Sequence, residues 1–320
     1  MVAFAAMNSS RLPPAILIMG PTASGKTAAA MALADRFPVE LISVDSAQVF
    51  RDMDVGTAKP DKATLSRYPH HLIDLISPEE SYSAARFRAD ALAAMEQITQ
   101  AGKIPVLVGG TMLYFRALLN GLAELPQADA ALRAEIDAEA AREGWPAMHA
   151  KLALLDPSTA ARLHTTDSQR LQRALEVCRL SGRPMSELLA ESEQQKPAYD
   201  FLSIGLLPSD RAVLHERIAR RFDEMLLGGL DEEVRYLREK YALNLGLPSM
   251  RCVGYRQTWE AQDGLLPKKE LRDRGIFATR QLAKRQITWL TNSFESEQFD
   301  CLDTALSEQV ARRVSEFLTS

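Results

Sequence analysis

Residues 15–19, Ala-Ile-Leu-Ile-Met, lead straight into Gly20-Pro21-Thr22-Ala23-Ser24-Gly25-Lys26-Thr27, and an alanine-rich stretch free of helix breakers continues to residue 37. The apolar run, bounded by Pro14 and Gly20, has the length and character of a buried parallel strand. The octapeptide fits G-x-x-x-x-G-K-[ST], and a place between strand and helix is the context in which that pattern cradles phosphate. Glycines let the backbone curl so that its N–H groups point inward, and the helix start adds partial positive charge. Lys26 is placed to neutralise a terminal phosphate, and the Thr27 hydroxyl to ligate Mg2+. The loop does not say whose phosphates it holds. A nucleotide fits, and so does another diphosphate.

The same strand-then-helix alternation recurs. Residues 40–45 (Glu-Leu-Ile-Ser-Val-Asp) read as a strand, residues 81–102 as a helix capped at Ser81 or Ser83 and stopped at Gly102, and residues 103–110 as a further buried strand. Such alternation predicts an α/β fold, a parallel sheet wrapped by helices. Between residues 129 and 195 the spacing is helical throughout, and residues 191–200 read as a polar linker. Residues 201–207 are a strand again, and helices are expected from there to the end. The boundaries are a core at 1–121 and 199–320 carrying an all-helical insertion at 122–198.

Apolar residues make up 46% of the 320 and charged residues 25%, which excludes a disordered or collagen-like chain. No apolar run approaches the roughly 20 residues of a membrane span, and the N-terminus lacks the basic segment of a signal peptide. Cys178, Cys252 and Cys301 are odd in number and far apart, which points to a reducing, cytoplasmic setting without disulfide or zinc. The five histidines suggest no metal cluster; His70 and His71, adjacent on a strand, read as structural.

In a phosphoryl-transfer enzyme of this kind an acidic residue ends a neighbouring strand and holds the metal. Residues 104–111 end in Gly109, Gly110 and Thr111, with no carboxylate, whereas residues 40–45 end in Asp45. Ligands bind at such strand ends, so Asp45 and Thr111 should face the cradle. Asp45 can serve a metal, accept a proton from an acceptor substrate, or cap a following helix. Arg217, Arg220 and Arg221, at helical spacing, form either a phosphate clamp or a solvated basic face.

The net charge of −4 is unevenly spread: residues 249–292 hold nine Lys/Arg against four Asp/Glu, a local +5, leaving −9 elsewhere. That asymmetry suits one basic face. Three segments mix Arg, Lys and Gln with other residues: 167–177, 251–259 and 278–290. Such side chains bind phosphate and read base edges, and Tyr255 and Trp259 are candidates to stack on unpaired RNA bases. Trp289 reads as a core residue.

Taken in order, GPTASGKT, ELISVDSAQVFRDMDVGTAKP, YPHHLIDL, YSAARFRADA, VLVGGTMLYFRALL, QRLQRALEV, RCVGYRQ and ATRQLAKRQITWL resemble the bacterial tRNA dimethylallyltransferase family over nearly the whole chain. The resemblance implies a P-loop kinase-like core with a helical insertion reaching tRNA, Mg2+ as cofactor, and a monomer. It implies transfer of a dimethylallyl group from dimethylallyl diphosphate to N6 of the adenine 3′ to the anticodon, in tRNAs reading codons that begin with U. By the same resemblance, residues 20–27 hold the diphosphate, Lys26 and Arg221 stabilise its charge, Thr27 binds the metal, and Asp45 accepts from adenine N6. Contacts to the tRNA anticodon stem-loop then fall to Asp45, Ser46, Ala47, Gln48, Thr111 and Arg133; to Gln169, Arg170, Leu171, Gln172 and Arg173; to Arg251, Cys252, Val253, Gly254, Tyr255 and Arg256; and to Lys284, Arg285, Gln286, Ile287, Thr288, Trp289, Leu290 and Thr291. Gln48 departs from the hydrophobic residue that many relatives carry there. The zinc finger of eukaryotic relatives has no Cys/His counterpart in this sequence.

Overall fold

The computed structural model describes residues 12–121, 125, 126, 128–192 (the backbone only at 192) and 196–320. The expectation about the N-terminal segment falls almost wholly outside these residues, as do the start of the insertion at 122–124 and the middle of the polar linker at 193–195. The chain divides into two compact units, residues 1–115 with 198–320, and residues 116–197.

The first unit is built on a six-stranded sheet of β1 (Pro14–Met19), β2 (Val39–Val44), β3 (His70–His71), β4 (Ile104–Gly109), β5 (Asp200–Leu207) and β6 (Glu297–Asp300). Its order is β3-β2-β4-β1-β5-β6, and every neighbouring pair is parallel. Parallel strands need crossovers, supplied by α1 (Lys26–Ala34), α2 (Lys62–Arg67), α3 (Ala84–Gln100) and α4 (Met112–Asn120). Ile16, Leu17, Ile18 and Met19 of β1 are all fully buried, as a central strand covered on both faces must be. Each such side chain contributes about 1.5–3 kcal/mol on burial. At the β2–β3 edge the His71 ring meets Glu40 at 2.7 Å and His70 meets the Tyr68 carbonyl at 2.6 Å, so both histidines are structural.

Beyond the last residues of α4, the second unit holds α5 (Ala130–Glu143), α6 (Trp145–Leu155), α7 (Pro157–Ala160), α8 (Ser168–Ser181) and α9 (Met185–Ser192). Ile136, Met148, Leu152, Leu171 and Leu175 form its own core. The chain then returns to the first unit with α10 (Arg211–Leu227), α11 (Leu230–Lys240), α12 (Tyr255–Gln262), α13 (Leu271–Ser293) and α14 (Leu306–Thr319).

Two elements differ from expectation. β6 adds a strand where only helices were anticipated; its four residues, Glu-Gln-Phe-Asp, carry no apolar run, and pairing with β5 makes the strand. The segment after Asp45 is a turn and not a helix, because the Asp45 side chain closes on its own backbone two residues later.

Candidate active site

Met19 and Val44 both lie in register with Gly109. The residues that follow, Gly20, Asp45 and Gly110, therefore leave the sheet side by side at its carboxyl edge. Any β-carbon at Gly109 would collide with the Val44 backbone, so glycine is what lets β2 and β4 end this close together. Thr111 N–H donates to the Val44 carbonyl at 3.2 Å. The Thr111 hydroxyl accepts from Ser46 N–H at 3.0 Å and lies 3.3 Å from the Ser46 hydroxyl. Asp45 Oδ1 accepts from Ala47 N–H at 2.9 Å, and Ser43 donates to Gln48 Oε1 at 2.8 Å. One Asp45 oxygen is thus fixed, and the other has no partner among the described residues.

Residues 20–27 form the cradle beside this turn. Ala23 (φ 63°) and Gly25 (φ 78°) adopt the left-handed conformation that turns successive N–H groups to one side. The N–H groups of Gly25, Lys26 and Thr27 open α1 and find no acceptor among the described residues, as the first turn of a helix requires. The Ser24 hydroxyl is fully buried and lacks a partner, and Lys26 Nζ donates to the Pro21 carbonyl at 3.1 Å. Backbone donors left without partners at a helix start, with a lysine beside them, are the chemistry that suits a phosphate group. Burial, with Arg221 next in effect, lowers the Lys26 pKa to about 8, while the Asp45 charge opposes the shift. Burial also lowers the pKa of Arg221, and again Asp45 opposes it. Asp45 therefore sits within electrostatic reach of both cations. Burial, with Asp45 second, pushes the Cys252 thiol up to about 12.

Of Arg217, Arg220 and Arg221 on α10, Arg221 alone carries that electrostatic link to Asp45 and Lys26. Arg217 donates to the Cys301 carbonyl at 2.9 Å and Arg220 is exposed. For a metal, no group of three His, Cys, Asp or Glu side chains gathers among the described residues. The Thr27 hydroxyl has no partner among them and suits a hard cation whose other ligands are phosphate oxygens and water.

The expected RNA contacts divide sharply. Arg251, Lys284 and Arg285 are exposed and carry no side-chain partner among the described residues. Gln169 and Arg170 are exposed on α8, with Arg170 3.2 Å from Asp167, and Arg256 pairs with Glu260 on α12. Val253 and Cys252 are half-buried.

Several expectations are corrected. Tyr255 is fully buried, its hydroxyl donating to Glu233 at 2.6 Å; Trp259 is buried, donates to Asp263 at 2.8 Å and lies under Arg238. Neither ring is available to stack on a base. Leu171 and Leu290 are buried too and Ile287 packs on the core, so their side chains do not reach solvent RNA, and Gly254 is a buried backbone position. Thr288 and Thr291 donate to helix carbonyls, and Trp289 is half-buried. Arg133 and Arg173 both bind the buried Glu176, and Gln172 donates to Asp137.

Gln286 has a role that the sequence did not reveal. Its Oε1 accepts from Thr22 N–H at 2.9 Å, and its Nε2 donates to the Gly110 carbonyl at 2.9 Å. A second overlooked residue is Glu233, whose carboxylate accepts from the N–H groups of Asp54, Val55 and Gly56 as well as from Tyr255. That carboxylate pins the segment following the Asp45 turn. At Gly56 no β-carbon fits against the Tyr255 ring, so the pinned segment can close on α12 only with glycine there.

Comparison with known proteins bears on the family and the fold. The IPP transferase family model matches residues 48–293. A tRNA dimethylallyltransferase of Dechloromonas aromatica (strain RCB) is 83% identical over 98% of this chain and 100% of its own length. The full-length tRNA isopentenylpyrophosphate transferase of Bacillus halodurans superposes with a TM-score of 0.70 at 34% identity, covering 97% of each chain. A eukaryotic dimethylallyltransferase acting on tRNA superposes with a TM-score of 0.82 at 26% identity, over 96% of this chain and 80% of that one. The chain belongs to the IPP transferase family.

Proposed function

We propose that this protein transfers the dimethylallyl group of dimethylallyl diphosphate to N6 of the adenine 3′ to the anticodon, in tRNAs reading codons that begin with U. The observation that carries the reading is the carboxylate that follows β2. Asp45 has one oxygen fixed and one open beside an anion cradle, while β4 ends without the acidic residue of a phosphoryl-transfer site.

The diphosphate lies in the 20–27 cradle, against the free N–H groups of Gly25, Lys26 and Thr27. Thr27 is the residue to hold Mg2+, which when bound neutralises charge on the diphosphate oxygens. The tRNA adenine leaves its stack, at a cost of a few kcal/mol, to present its amine. The N6 lone pair forms a bond to C1 of the dimethylallyl group as the bond from C1 to the diphosphate oxygen breaks. Negative charge grows on the leaving diphosphate, where the preorganised N–H groups, Lys26 and Arg221 stabilise it. The N6 proton passes to the open oxygen of Asp45. Thr111 keeps the turn that carries Asp45 in place. The amine is a poor nucleophile, its lone pair delocalised into the ring, so orientation counts as much as basicity.

The test is incubation of the protein with unmodified tRNA and either dimethylallyl diphosphate or ATP, followed by mass spectrometry of the tRNA nucleosides. The expected result is a dimethylallyl mass increment on one adenosine with the first donor alone. ATP turnover without prenylated tRNA identifies a kinase and removes this reading.

A further inference from the structure

We propose that Gln286 is a positioning residue that sets the phosphate cradle in register with the Asp45–Thr111 pair; the inference rests on the reaction assigned above. The two ends of its amide are used in opposite senses. Oε1 accepts from Thr22 N–H inside the cradle, and Nε2 donates to the carbonyl of Gly110, the residue before Thr111, each at 2.9 Å. One side chain thereby ties the loop after β1 to the loop after β4, from a helix 176 and 264 residues away in sequence.

The helix is a firm base for such a tie. Ala283 and Leu290, three residues before and four after Gln286, share its helix face, and each is 1% exposed. At Gly275 the Phe222 ring packs where a β-carbon would stand, which fixes α13 against α10. Gly110 is shaped for the contact as well, because a β-carbon there would overlap the Gln286 amide. A glutamine on this stripe, with one bond accepted at Oε1 and one donated from Nε2 to backbone groups of the two loops, is explained by the tie. Neighbouring Lys284 and Arg285 point to solvent, so one turn of α13 carries both an inward tie and an outward basic face.

Without the tie both loops still begin on the sheet, but the cradle and the carboxylate lose their common reference. Misplacement of reacting groups by fractions of an ångström slows such a step strongly. The test uses Gln286→Met, which keeps the length and removes both hydrogen bonds, and Gln286→Asn, which keeps the amide on a shorter stem. Binding of inorganic diphosphate with Mg2+ is measured by calorimetry, tRNA affinity by filter binding, and unfolding temperature for each variant. The expected result is diphosphate affinity about tenfold weaker in Gln286→Met, the scale of one lost hydrogen bond between neutral groups, partly recovered in Gln286→Asn. The affinity for tRNA stays within about twofold of wild type, since the side chain faces inward. Unchanged diphosphate affinity in Gln286→Met, a parallel loss of tRNA affinity, or no recovery in Gln286→Asn overturns the proposal. The diphosphate measurement needs no prenyl transfer, so a wild-type protein that fails to modify tRNA removes the reaction assignment and leaves this test readable.

Discussion

Asp45 is fixed through one carboxylate oxygen and open through the other, and this asymmetry is what a proton acceptor needs. The Ala47 N–H holds Oδ1, while Ser46, the next residue, is held from the other side by Thr111. Asparagine at position 45 can keep the bond to Ala47 and present an amide where the open oxygen was. Asp45→Asn is therefore expected to lower kcat by about 10²- to 10⁴-fold, the range for removal of a general base, with tRNA affinity nearly unchanged. Single-turnover prenylation and equilibrium tRNA binding measured on the same preparation check it. Collapsed tRNA binding with surviving single-turnover chemistry would assign Asp45 to recognition and not to proton transfer.

On the scale of single elements, α8 shows how a polar residue can organise a helical unit. Glu176 is fully buried, yet it receives Arg133, Arg173 and the Asp129 N–H, which caps its remaining lone-pair demand. Burial pushes its carboxyl up, but these hydrogen bonds outweigh burial and hold it below its usual 4.5. A carboxyl depressed in the folded state stabilises fully above the unfolded value, and the contribution disappears as pH falls through the folded one. Glu176→Gln turns an amide donor toward an arginine and should cost about 2–3 kcal/mol. Chemical denaturation at pH 7, with hydrogen exchange to localise the loss to residues 116–197, reads it; the deficit should shrink as the pH drops well below 4. This element also shows which parts of the molecule the sequence could reveal. The cradle, the strands with continuous apolar runs, and Asp45 and Thr111 at their ends were legible because local pattern determines them. The occupation of a side chain is not local. Arg133 meets Glu176 from 43 residues away, Tyr255 looked like a stacking platform until Glu233 was seen at its hydroxyl, and Gln286 reaches a partner 264 residues away. β6 was illegible for the same reason, since its strand character comes from β5.

Across the whole molecule, a chain of net charge −4 has to attract a polyanion, so the placement of its free cations matters more than their number. Residues 249–292 hold the local excess, but they are not equivalent within it. Arg256 and Arg272 are paired with Glu260 and Asp223, whereas Arg251, Lys284 and Arg285 are exposed with no side-chain partner among the described residues. A cation already neutralised by a carboxylate releases few counterions when it meets a phosphate, and an unpaired one releases its full share. Each phosphate contact contributes roughly 0.7–0.9 to the slope of log affinity against log salt. The double variant Lys284→Ala/Arg285→Ala is thus expected to lower the steepness of that slope by about 1.5, with weaker binding at low salt and near-wild-type binding at high salt. Arg133→Ala, which removes a partner of Glu176, should instead leave the slope in place and lower the unfolding temperature. Filter binding of tRNA across a salt series, alongside thermal unfolding of the three proteins, separates the two. A slope unchanged in the double variant would mean that this turn of α13 does not face tRNA, and the basic surface would then have to be sought around Arg251.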